Sequence, residues 1–141
     1  MAAYVKYQKG VEVLAEAGNA ATDSWRLLLT NTAPNVVNDT DAASATELGT
    51  AGGYTAGGVA CTVTSSAQTA GVFKLTLAAP AAPTWTASGA GFTFRYVILY
   101  NLTRTQCIAY WDAGAAVVMD GARGDTFTPT LDAVGGTFTI T

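Results

Sequence analysis

The chain has 141 residues, half of them hydrophobic and only 12% charged, with 10 acidic residues against 7 basic ones and no histidine. That length makes one domain with its own core. The acidic balance and the lack of a basic stripe exclude nucleic acid as a direct partner, and the missing histidine excludes Ser-His-Asp and Cys-His catalysis and any histidine-ligated zinc.

The first residues lack a continuous apolar stretch, so no secretory leader is expected and synthesis is expected in the cytoplasm. No apolar run approaches the roughly 18–20 residues of a membrane helix, so no membrane partner is expected. Residues 1–23 read as an N-terminal segment. Tyr4, Tyr7, Val11, Leu14 and Ala15 fall at steps of three and four, which predicts a short amphipathic helix over 4–17 with Gly18 as its C-cap. Gly10, Val11 and Val13 are poor helix formers and weaken that pattern.

Residues 24–141 read as a single β-domain. A strand is predicted over 24–30 with Trp25, Leu27 and Leu29 on one face, closed by turn residues at 31–35. A long loop at 31–58 then loses all period. Asp41 is placed to N-cap one or two helical turns reaching Leu48, and the Ala-Gly-Gly repeats at 51–53 and 56–58 read as a flexible turn. A loop of this length is expected to bind something.

Beyond it, Thr alternates with large apolar residues, which sets Phe, Leu, Val and Ile on one strand face and Thr on the other. Strands are predicted at 59–64, 72–78, 84–88, 92–100, 106–112, 116–119, 126–131 and 136–141, with turn signals between them, including Asp112 to Gly114 and Asp120-Gly121. Many short strands at regular spacing predict an all-β fold, an antiparallel β-sandwich of jelly-roll type. The stretch at 92–100 is apolar on both faces after Arg95, which makes it a central strand.

Chemistry is sparse. Cys61 and Cys107 sit inside strand patterns and read as small buried hydrophobes. Asp112 and Asp120 form the one conceivable acid pair, but both read as turn openers. Arg123, Gly124 and Asp125 spell an adhesion tripeptide in ordinary turn context. Asn38 and Asn101 match the glycosylation pattern. Asp39, Asp41 and Glu47 lack the spacing of a calcium loop. Trp85, Tyr110 and Trp111 have core periodicity, which argues against a sugar-stacking platform. No catalytic residue, metal site or cofactor is expected, and the chain reads as no enzyme.

The order of motifs carries further information. Tyr4 to Glu16 leads into Trp25 to Pro34, then Gly53 to Gly58, Phe94 to Asn101, and Trp111-Asp112 ending a strand. This series resembles a family of small tailed-phage and prophage structural proteins, the capsid cement (decoration) proteins. The resemblance implies a non-enzymatic virion protein with a jelly-roll-like fold, bound to the outer surface of the capsid and dimeric. Its partners are then the major capsid protein lattice and a second copy of itself, as homodimer or trimer. The residues expected to make capsid or oligomer contacts are Tyr4, Tyr7 and Val11 in the N-terminal segment and Asn35, Val36, Val37, Leu48 and Tyr54 in the long loop. A tail, collar or fibre component of a phage is the alternative.

Overall fold

The structure, a computed structural model, describes residues 3–141. In chain order the elements are β1 (Val5–Lys6), α1 (Gln8–Glu16), β2 (Trp25–Thr30), β3 (Val59–Thr69), β4 (Val72–Ala78), β5 (Trp85–Thr86), β6 (Phe92–Asn101), β7 (Gln106–Met119), β8 (Thr126–Phe127) and β9 (Phe138–Ile140). Seven strands form one antiparallel sheet in the order β1-β7-β6-β2-β3-β4-β9, while β5 pairs with β8. The large sheet curls until its two edges meet. There the Tyr4 hydroxyl accepts the Thr139 N–H at 2.9 Å, and the Tyr4 ring packs on Phe138 and Trp111. A side chain closes this seam where a ladder would otherwise be needed. The protein is thus all-β and antiparallel, sandwich-like and of jelly-roll character, as the alternation predicts.

The double-sided apolarity of the middle strands has a simple origin. Leu27, Leu29, Val97 and Leu99 point inside the curl and meet Trp25, Leu75, Trp85, Phe94 and Phe138 in the main core. Leu28, Ile98, Tyr100 and Cys107 point outward and form a second cluster with Tyr7 and Ala45, beneath the N-terminal segment and the long loop. β6 therefore lies between β7 and β2 with cover on both faces. Leu27, Leu28 and Leu29 are all fully buried, each contributing about 1.5–3 kcal/mol of apolar burial. Parity in register with β6 is what lets three consecutive leucines be buried.

Several boundaries differ from the sequence expectation. The helix starts at Gln8, because 4–6 are drawn into the sheet: Val5 and Lys6 pair with Tyr110 and Ala109, and the Tyr7 N–H donates to the Ile108 carbonyl at 2.9 Å. Tyr7 is extended and takes the N-cap position. At the other end Ala17 takes the cap, and both its N–H and that of Gly18 donate to Val13 O. Gly10 has a packing role. A Cβ there would lie 2.5 Å from the Cys107 carbonyl oxygen, so only glycine lets α1 rest directly on β7.

The turn signal at Asp112 to Gly114 is also resolved differently. It does not end a strand. Register passes from Phe94↔Val117 to Tyr96↔Asp112, so residues 113–116 oppose the single residue Arg95 and form a broad bulge inside one long β7. Gly114, at φ +86°, supplies the bend. The strands expected over 126–131 and 136–141 contract to Thr126–Phe127 and Phe138–Ile140.

Candidate interaction surface

The loop at 31–58 is laced onto the sheet. Thr30 Oγ1 donates to the Thr46 carbonyl at 2.7 Å, the Leu48 N–H to Leu29 O at 2.9 Å, and the Cys107 N–H to Thr40 O at 2.6 Å. The loop's carboxylates serve its own backbone. Asp39 accepts the Asn35 N–H at 2.7 Å, Asp41 caps the turn through the Ser44 N–H at 2.8 Å, and Glu47 accepts both the Tyr54 hydroxyl and the Gly57 N–H at 2.6 Å. The Asp41 carboxyl is held below its ordinary range, chiefly by the Ser44 N–H. The three acids do not converge, and no group of three potential metal ligands occurs among the described residues. The Ala-Gly-Gly stretch is packed, not flexible: at Gly53 (φ +101°) and Gly58 (φ +61°) a side chain would run into the Thr86 and Leu27 carbonyls.

Two of the eight expected contact residues are therefore corrected. Tyr7 is fully buried in the outer cluster, and Tyr54 is buried in the main core with its hydroxyl also accepting the Leu29 N–H at 3.1 Å. An aromatic ring amid glycine-rich sequence looked exposed, but it is the anchor that holds the loop down. Burial drives both phenols well above their ordinary titration range, and the Tyr7 hydroxyl has no hydrogen-bond partner. Tyr4 is half-buried at the seam, Val11 half-buried on α1, and Leu48 half-buried against the main core.

Asn35, Val36 and Val37 do come together with the N-terminal segment. Asn35 organises the turn, its Oδ1 accepting the N–H groups of Val37 and Asn38 at 3.2 Å. The Val36 carbonyl accepts the Gln8 N–H at 3.0 Å, which fixes the loop beside the start of α1. Val37 is left 58% exposed, and Val5 on β1 is 45% exposed. Val5 sits directly across from Tyr110. Tyr110 in turn packs edge-on against Tyr7 and Tyr96 at 5.9 Å. Val5 and Tyr110 on paired strands, with Val36 and the exposed Val37 on the loop tied to the start of α1, make up the candidate apolar surface. Beside it Arg95 lies over the Tyr96 ring and grips Asp112 through two hydrogen bonds of 2.8 and 3.0 Å. Tyrosine and arginine are among the residue types enriched in protein interfaces. Val5 and Tyr110 escaped the sequence reading: Tyr110 has core periodicity, Val5 falls outside the helical spacing, and only the short pairing of β1 with β7 brings the two together.

Most of the remaining motif residues are engaged in structure. The Arg95 guanidinium holds the Asp112 carboxyl below its usual range, the opposite of what a general acid needs. Burial pushes the Cys61 thiol up to about 11 and Cys107 to about 12, far from a reactive thiolate; both are free. Arg123 and Asp125 pair with each other at 3.0 Å, which closes the adhesion tripeptide on itself. Asn101 is fully buried and donates to Asp23 at 2.8 Å. The Trp85 ring stacks on Phe127 at 5.7 Å, leaving no free face for a sugar. A cleft of about 450 Å³ lies at the seam beside Tyr4. Its Asp132 is occupied by the Val134 and Gly135 N–H groups, and its Lys6 lies over Phe138. No helix among the described residues is long and apolar enough to cross a membrane.

No protein-family model, no curated protein and no solved structure matches the chain.

Proposed function

We propose that the protein is a non-enzymatic structural component of a virion, an external capsid cement (decoration) protein that binds the major capsid protein lattice and stabilises the head. The observation that carries this reading is the apolar surface of Val5, Val36, Val37 and Tyr110, on a scaffold whose Asp39, Asp41, Glu47 and Asp112 carboxylates are engaged in structure. The ordered resemblance to phage cement proteins and the low charge of the chain support it independently. A shell strained by packaged genome gains from many identical bridges, each weak alone and strong together through effective concentration. The protein is made in the host cytoplasm and sits on the outer surface of the capsid.

Retention on purified heads tests this. Val5→Asp with Val37→Asp places two charges where apolar surface should be buried, at positions exposed enough to leave the fold intact. Head occupancy should fall by on the order of tenfold or more, with unchanged thermal unfolding. Unchanged occupancy would remove the patch from the contact. A tail, collar or fibre location is the second reading, favoured by the side of β3 away from β4, which makes no backbone hydrogen bond over residues 65–69 among the described residues.

A further inference from the structure

The four-residue bulge in β7 leaves room on the inner side of the curled sheet. In an unbroken strand every second side chain would point into the core. Trp111 and Val117 do pack with the main core. Between them, after Asp112, come Ala113, Gly114, Ala115 and Ala116, all exposed and none larger than a methyl group. A pocket of about 280 Å³ lies at this place, and its lining includes Phe94 and Val97 from β6, Trp111 and Val117 from β7, and Phe127 from β8. Phe94, Val97 and Trp111 are buried core residues, so the pocket reaches into the core. Packed interiors hold few voids larger than a water molecule. Bulges and the mouths of curled sheets are, by contrast, recurrent places for ligand sites.

We propose that this pocket binds a small neutral aromatic molecule of one or two rings. The ligand class follows from the lining. Asp112 is its one ionisable residue, and both carboxylate oxygens are already engaged. Oδ1 accepts the Arg95 Nε–H and the Gly114 N–H, each at 2.8 Å, and Oδ2 accepts an Arg95 Nη2–H at 3.0 Å. No free charge is left to hold an ionic ligand, and a wall made mostly of carbon offers little to the hydroxyls of a sugar, which would lose water on entry. Three rings contribute to that wall. Phe94 and Phe127 lie 4.8 Å apart between centroids, tilted by 45°, and the Trp111 indole is met edge-on by Tyr4 at 6.0 Å. Rings set at such angles present faces and edges, on which a planar aromatic guest stacks or meets edge-to-face. An apolar cavity of about 150 Å³ already admits benzene, so the larger volume here has room for two fused rings.

Calorimetric titration of the purified full-length chain with indole tests the site, with indole-3-acetate as the charged comparator. Indole should bind with a Kd on the order of 0.1 mM, and indole-3-acetate about tenfold more weakly or worse. Methyl resonances locate the ligand in the native chain: those of Val97 and Val117 should shift under the ring current of indole, while those of Val5 and Val37 stay in place. Val117→Phe sets a ring into the pocket from a half-buried position and should weaken indole on the order of tenfold or more in a chain that still unfolds cooperatively. No binding at millimolar indole, equal affinity for the two ligands, or methyl shifts confined to other residues overturns the proposal. A folded Val117→Phe chain that keeps the native affinity overturns it as well. A native chain that ignores indole, with a Val117→Phe variant that is lost from heads, also overturns it and assigns the pocket to a side chain of the partner. The titration uses the isolated chain, so its failure leaves the capsid reading standing.

Discussion

Removing one hydroxyl from each of two buried tyrosines should have opposite outcomes. The Tyr54 hydroxyl accepts the Leu29 N–H at 3.1 Å and donates to the Glu47 carboxylate at 2.6 Å. β3 has left β2 by this point, since their pairing ends at Leu27, so the Leu29 N–H has no ladder acceptor on that side. Tyr54→Phe strands this N–H in a fully buried position, at about 1–3 kcal/mol, and takes a charge-assisted bond from Glu47, worth about 1.5–3 kcal/mol. Gly57 still donates to Glu47, which softens the second loss. A net destabilisation of about 2–4 kcal/mol follows. With an unfolding entropy of about 0.3 kcal/mol/K for a chain of this length, that lowers Tm by roughly 7–13 °C. Tyr7→Phe deletes a hydroxyl that is buried without a partner, so stability should be unchanged or higher by up to about 1 kcal/mol. Urea unfolding followed by tryptophan fluorescence, with thermal unfolding by circular dichroism, measures both. A Tyr54→Phe loss below about 0.5 kcal/mol, or equal losses in the two variants, would refute the assignment of Tyr54 as the anchor of the loop.

Three further outcomes are expected. Gly10→Ala gains about 1 kcal/mol of helix propensity, but its methyl meets the Cys107 and Ile108 backbone, which cannot move cheaply; overpacking of about 1–3 kcal/mol should win, and a raised urea midpoint would contradict it. For Asp23, burial alone would raise the carboxyl, yet hydrogen bonds from Asn101, the Asn19 N–H and Arg104 hold it below its ordinary range. Its stabilisation is therefore complete above the unfolded pKa of about 3.9 and is lost as pH falls through that value toward the folded one; the Tm gap between the native chain and Asp23→Asn should close on acidification, and a constant gap would count against it. Cys61 and Cys107 should resist alkylation at neutral pH in the folded chain and both react in denaturant, and rapid native labelling of Cys107 would show the outer cluster to be open.

Much of the fold is legible in the sequence because its rules are local. Alternation in 72–78 and 92–100 gives strands whose ends match β4 and nearly match β6, since side-chain parity is a property of the chain itself. What escaped depends on partners distant in sequence. The turn signal at Asp112 to Gly114 is real and does bend the chain, but pairing of Val117 with Phe94 converts the bend into a bulge. Tyr4 to Lys6 carries helical spacing, yet β7 offers a backbone edge that a helix could not use. Gly10 looked like a helix defect until its neighbour was known. The proposed contact surface is half legible in the sequence: Asn35, Val36 and Val37 are expected from the aperiodic loop, whereas Val5 and Tyr110 join it only through the two-residue pairing of β1 with β7.

The central claim is that this chain decorates a capsid through the face carrying Val5, Val37 and Tyr110. Electron cryomicroscopy of the virion or purified heads tests it directly. Density for this fold is expected on the outside of the head, with that face against the major capsid protein. Density in the tail, collar or fibres, or on the head with that face turned to solvent, would contradict it.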